Sequence, residues 1–153
     1  MSQYMFLGLK NKLKKIDYEA NEIYNIPKIY KNSIYFQEGI LFDENIDKFH
    51  IQLLNDYCKL NWYIVKTLPV PFEAATRYKE DFPDLYEAAL QMSTWFSKFV
   101  KKLKEQGNDV VVINLWISDK KEKRTTDKKT LKLSEVDLSN YEMPRDILYN
   151  LEL

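Results

Sequence analysis

The run DFPDLYEAALQMSTWFSKFVKKLKEQGNDVVVINLWI, residues 81–117, decides the fold class. Leu85, Ala88, Ala89, Met92, Trp95, Phe96, Phe99, Val100 and Leu103 recur at three- and four-residue steps, while Glu87, Gln91, Thr94, Lys98 and Lys102 take the other side. That spacing predicts a helix with one apolar face. Asp81 is placed to cap it, Pro83 is tolerated in its first turn, and Gly107 supplies a left-handed residue to end it. Lys101, Lys102 and Lys104 sit near its negative pole. Residues 110–117 then place Val111, Ile113, Leu115 and Ile117 on one face of a strand and Val110, Val112 and Trp116 on the other. A strand that is apolar on both faces belongs in the interior of a sheet.

Outward from this pair, residues 2–25 space Phe6, Leu9, Leu13, Ile16, Ala20 and Ile23 like a heptad stripe, which predicts a long N-terminal helix packed on the sheet, or seamed to a second helix. Short β-prone runs at 33–36 and 40–42 flank Glu38 and Gly39 and predict a hairpin. Ile46, Phe49, His50, Leu53, Leu54 and Tyr57 predict a middle helix over 44–59, capped by Asp43. Residues 62–65 are four apolar positions without a period, so helix and strand stay open there. Pro69 and Pro71 interrupt either, and a helical turn is expected over 72–78. Polar residues 118–127 lead into alternating residues 130–134, which reads as a β-hairpin with a charged tip and an edge-like second strand. Pro144 opens a predicted last helix with Ile147, Leu148 and Leu151. The expected architecture is α+β: one domain over residues 1–153, an antiparallel sheet of about four or five strands, and helices mainly on one face.

A chain of 153 residues that is 45% hydrophobic, with 22 aromatic side chains, has the apolar area to fold. Its 23 basic and 23 acidic residues cancel, so no global field gathers nucleic acid or an anionic membrane. No segment approaches the roughly 18 apolar residues of a membrane span, residues 1–9 lack a basic leader, and the lone Cys58 fits a reducing compartment. A cytoplasmic protein is expected. Twenty lysines against three arginines, with only five alanines, point to AT-rich codons and hence to a low-GC bacterium or phage.

No residue set carries chemistry clearly. His50 and Cys58 are each single in the chain and lie eight apart, about 12 Å along a helix, too far for a nucleophile and its base. Neither has the further ligands a zinc site requires. The acidic groups Asp81, Asp84, Glu87 and Asp43, Glu44 fall at expected helix starts, where they serve as caps. Gly8, Gly39 and Gly107 build no phosphate loop. Catalytic residues, cofactor and metal ligands are therefore not assigned. Tyr24, Tyr30, Tyr35 and Phe36 are candidate interface anchors, because tyrosine is enriched at protein interfaces. Lys120, Lys121, Lys123, Arg124, Lys128 and Lys129 crowd the charged tip near 119–129. A basic hairpin can enter a nucleic-acid groove, but without a stacking aromatic the binding is expected to be weak. The leading expectation is a non-enzymatic protein-binding module, by analogy of inhibitor or immunity type, with an unidentified protein partner and no membrane. The alternative is a nucleic-acid-associated accessory protein.

Overall fold

In the computed structural model, which describes residues 2–13, 42–66, 70–72, 75–117 and 127–153, the apolar run after Gly107 is an interior strand. β4 (Val110–Ile117) runs antiparallel to β1 (Ser2–Leu9), from Ser2 opposite Ile117 to Leu9 opposite Val110. Val110 and Val112 join Met5, Leu7 and Leu9 in one buried cluster, while Val111, Ile113 and Leu115 join Phe6 in another. β3 (Asn61–Val65) pairs with the free side of β1, and β2 (Phe42–Asp43) with β3. β6 (Ile147–Glu152) lies antiparallel to the other side of β4, and β5 (Asp127–Lys132) lies parallel to β6. The result is one mixed sheet of six strands in the order β2-β3-β1-β4-β6-β5.

Two α-helices among the described residues cover this sheet, one on each face. α1 (Lys48–Tyr57) brings Leu54, Ile51 and Leu53 to the Phe6, Trp62 and Ile113 side. α2 (Pro83–Glu105) brings Met92, Trp95, Phe96, Phe99, Val100 and Leu103 to the opposite side. Both apolar faces of the central strands are thereby removed from water, which is the dominant favourable term in folding. Phe42 from β2 stacks on Phe99 at 4.8 Å and on Trp95 at 6.2 Å between ring centroids, while Phe72 meets Phe96 edge-on at 5.5 Å.

The ends of α2 follow local rules. Pro83 occupies its first turn, but its N-cap is Phe82, without a side-chain cap bond, and Asp81 is exposed. At the other end Gly107 takes φ 82°, the Gly107 N–H donates to the Lys104 carbonyl and the Asn108 N–H to that of Leu103. This Schellman closure needs a residue free of a Cβ penalty. Asn108 is then held by reciprocal bonds with the Asn11 backbone at 3.0 and 3.1 Å, which ties the helix exit to the end of β1.

Several expectations are corrected. Residues 2–9 form β1, not the start of a helix, because Met5 and Leu7 make the segment apolar on both faces, as an interior strand requires. Residues 14–25 of that expected helix lie outside the described residues, as does the expected hairpin except for Phe42, which opens β2. Residues 62–65 are strand. The middle helix starts later than expected, with Asp47 accepting from the Phe49 N–H as its cap. Asp43 instead pairs with Lys66 at 2.8 Å and accepts from the Asn45 N–H. The expected last helix is β6, with Ile147, Tyr149 and Leu151 alternating toward α2. β6 separates β4 from β5, so these two strands are not a hairpin and the sheet is not antiparallel throughout. β5 does lie at the sheet edge, as its exposed lysines imply.

Two substitutions test this packing. Phe96 is 0% exposed, so Phe96→Ala is expected to lower unfolding free energy by about 3–5 kcal/mol in urea melts. A loss under about 1 kcal/mol means that the face is not core. A Cβ at Gly8 meets the Trp62 ring at 2.7 Å and Leu60 Cδ1 at 2.9 Å. Because Trp62 is buried beneath α1, Gly8→Ala is expected to cost about 1–3 kcal/mol by overpacking, and unchanged stability would refute that close approach.

Candidate functional site

An open cleft of about 410 Å³ lies where the β5 edge faces the segment that leads from β5 to β6. Thr130, Leu131 and Lys132 form the strand side, and Glu135, Asp137, Asn140 and Tyr141 lie on the segment. Local bonds shape that segment. A 3-10 turn (Leu133–Glu135) closes with the Val136 N–H on the Leu133 carbonyl. The Asp137 carboxylate then accepts from the Ser139 N–H at 3.1 Å and from its hydroxyl at 2.6 Å, an aspartate-capped turn. Thr76 Oγ1 donates to Asn140 Oδ1 at 3.0 Å, so the 3-10 turn before α2 (Ala75–Tyr78) braces the same wall.

Tyr141 lines the cleft. Its ring meets Phe72 edge-on at 6.1 Å and lies beside Tyr149 of β6. Burial first, then the charge and hydrogen bond of Tyr149, push its phenol well above the usual tyrosine value, so it stays protonated. Behind it, hydrogen bonds cross from helix to sheet. The Phe72 N–H donates to Ser93 Oγ of α2 at 3.0 Å, and the Phe72 carbonyl accepts from the Met143 N–H at 3.0 Å. Asn114 Nδ2 donates to the Met143 carbonyl at 3.4 Å, and the Asp146 N–H donates to the Asn114 carbonyl at 2.8 Å. Phe72 and Asp146 take φ 63° and 61°, the left-handed region that L side chains disfavour. Asn114, 6% exposed in the middle of β4, keeps its Oδ1 buried with no hydrogen-bond partner among the described residues.

Of the residues singled out from sequence, Lys128 and Lys129 lie exposed on β5 beside this cleft. Tyr24, Tyr30, Tyr35, Phe36, Lys120, Lys121, Lys123 and Arg124 lie outside the described residues. His50 and Cys58 stand at opposite ends of α1. The His50 ring lies against Phe49, while the Cys58 backbone caps the helix and accepts from Trp62 Nε1. Tyr141, Asn114, Ser93 and Phe72 were not read from sequence. The one local signal was an asparagine inside the otherwise apolar run VVVINLWI.

Chemically, the cleft offers hydroxyl, carboxamide, ammonium and carboxylate groups around the apolar surface of Leu131, Val136 and Tyr141, beside a strand that pairs on one side only among the described residues. Lys132 and Glu135 stand 3.8 Å apart and both are largely exposed. Among the described residues no group of three or more His, Cys, Asp or Glu side chains is placed to hold a metal ion, and no helix is long and apolar enough to cross a membrane. No family model, curated protein or solved structure matches the chain.

A half-buried tyrosine with a raised value binds its proton more tightly folded than unfolded, so its contribution is complete below the unfolded value of about 10 and falls as pH rises beyond it. Urea melts from pH 8 to 11 are therefore expected to show the wild type losing more stability above pH 10 than Tyr141→Phe does. Parallel curves for the two proteins would place the Tyr141 phenol in water. Asp43, lowered by its hydrogen bond to Lys66, has the opposite sign, its contribution vanishing as pH falls below the ordinary aspartate range. That pair is partly exposed, so Lys66→Ala is expected to cost less than about 1 kcal/mol at neutral pH and less again in high salt.

Proposed function

We propose that the protein is a non-catalytic binding module that engages another protein at the β5 edge and its cleft. The observation that carries this reading is the terminal position of β5, paired on one side only among the described residues and exposed along most of its length. Unpaired strand edges are sites of main-chain recognition, in which backbone bonds supply affinity and neighbouring pockets supply selectivity. The cleft against Leu131 and Tyr141 is such a pocket. Its walls are braced by hydrogen bonds to α2 and β4, which favours binding without reorganisation. A partner of the kind held by inhibitor or immunity proteins suits a small neutral chain, and the free thiol of Cys58 suits a cytoplasmic setting in a low-GC bacterium or phage.

Lys128 and Lys129 also serve the nucleic-acid reading, and one experiment separates the two. A photo-crosslinking side chain at Thr130, with a control at Lys101 on the exposed face of α2, is introduced into the protein in its native cells. A discrete protein adduct from position 130, absent from position 101, is the expected result. Nuclease-sensitive adducts in place of it would transfer the assignment to nucleic acid. Turnover of a small molecule by the purified protein, lost on changing His50 or Cys58, would retire the binding reading in favour of an enzyme.

A further inference from the structure

We infer that the occupant of the β5 edge is an acidic extended segment of a partner protein, added to the sheet as a further strand next to β5. This rests on the protein-binding reading and names the chemistry of the partner. The chain as a whole is neutral, with 23 basic and 23 acidic side chains, yet from Asp119 to Lys132 seven basic residues stand against three acidic ones. A local positive excess therefore falls on the edge strand and the sequence leading into it. The register spreads it over both faces of β5. Lys128 and Lys132 lie opposite Leu148 and Glu152, on one face, and Lys129 lies opposite Tyr149, on the other.

The same lysines decide between occupants. A second copy of β5 paired antiparallel along its full length sets Lys132 against Asp127 but Lys128 against Leu131 and Lys129 against Thr130, so two of the three ammonium groups gain no opposite charge. A strand bearing glutamate or aspartate at alternate positions sets its carboxylates on the face of Lys128 and Lys132 and its other side chains on the face of Leu131, while its backbone pairs with the outer N–H and C=O groups of β5. Lys132 stands within 4 Å of one described carboxylate, that of Glu135 at 3.8 Å, and both side chains are largely exposed, so Lys132 is accessible to a second anion. Leu131, half-buried beside Val136 and Tyr141 at the cleft, supplies the apolar contact for one side chain of the incoming strand.

The probe is an eight-residue peptide alternating glutamate and valine, with a counterpart carrying lysine for glutamate, each titrated into isotope-labelled full-length protein and followed by amide NMR. The acidic peptide is expected to shift the amides of residues 127–132, with affinity that falls at least tenfold in the Lys128→Glu, Lys129→Glu double variant and declines as salt rises. Both lysines are exposed, and unchanged circular dichroism and melting of the variant establish that its fold is kept. Equal shifts from the lysine peptide, shifts centred away from β5, or concentration-dependent dimerisation that occupies the β5 amides would each overturn the inference. Competition keeps the two readings apart. The acidic peptide is expected to suppress the Thr130 adduct. An adduct that persists undiminished refutes the acidic occupant and leaves protein binding standing, whereas no protein adduct at all removes both.

Discussion

Burial of the β1 and β4 pair on both faces is the constraint from which the rest of the architecture follows. Two adjacent strands that send Met5, Leu7, Leu9, Val110 and Val112 one way and Phe6, Val111, Ile113 and Leu115 the other need a cover on each side. α2 supplies one cover through its aromatic face and α1 the other through Leu54 and its neighbours. The ladders on either side must then be continued, by β3 on β1 and by β6 on β4. β6 carries Tyr149 and Leu151 into the α2 cluster and Leu148 into the α1 cluster, so it too is covered twice. β5, with four of its first four side chains exposed, has no such requirement and is left at the margin.

What the sequence revealed divides along this line. α2 was legible because its period, Pro83 at its start and Gly107 at its end agree over a long segment, and β4 because its apolar run is bounded by that glycine. β1 was not legible. Phe6, Leu9 and Leu13 fit helical steps, and only the presence of Trp62 across the ladder explains why Gly8 is needed where a helix would favour a side chain. β6 was obscured by the same ambiguity. Ile147, Leu148 and Leu151 suit a helix, whereas Ile147, Tyr149 and Leu151 suit a strand, and the choice is made by pairing with β4 and β5 far away in sequence. Short apolar runs carry too few positions to separate the two periods.

The candidate site shows the same division. Lys128 and Lys129 read in the sequence as part of a charged tip and belong instead to β5, whose edge character was legible only in the alternation of residues 130–134. The cleft beside them is built by contacts among Thr76, Phe72, Asn140, Tyr141 and Tyr149, residues that no local pattern brings together. Ser93 is a buried polar position on α2 and Asn114 one within the apolar run of β4, and their partners are backbone groups at 72 and 143, visible only once the chain has folded.

Those two polar side chains also explain how a weakly covered edge is held in place. β5 has one ladder and little buried apolar surface, so its position is set by β6 and by the segment 133–146 that joins them. That segment is tied to β4 by the Asn114 carboxamide and the Asp146 N–H, and to α2 through Met143, Phe72 and Ser93. Each tie passes next to a left-handed non-glycine residue, Phe72 or Asp146, at a cost of roughly 1–2 kcal/mol apiece, and one leaves a buried carbonyl oxygen unpaired among the described residues. An arrangement optimised for stability alone discards these features. Both left-handed residues and the Asn114 oxygen lie along the ties that position β5, whereas the other buried side-chain groups without a partner among the described residues, the Tyr57 hydroxyl and Trp95 Nε1, lie elsewhere, so the strain is held where the surrounding structure fixes the margin of the sheet.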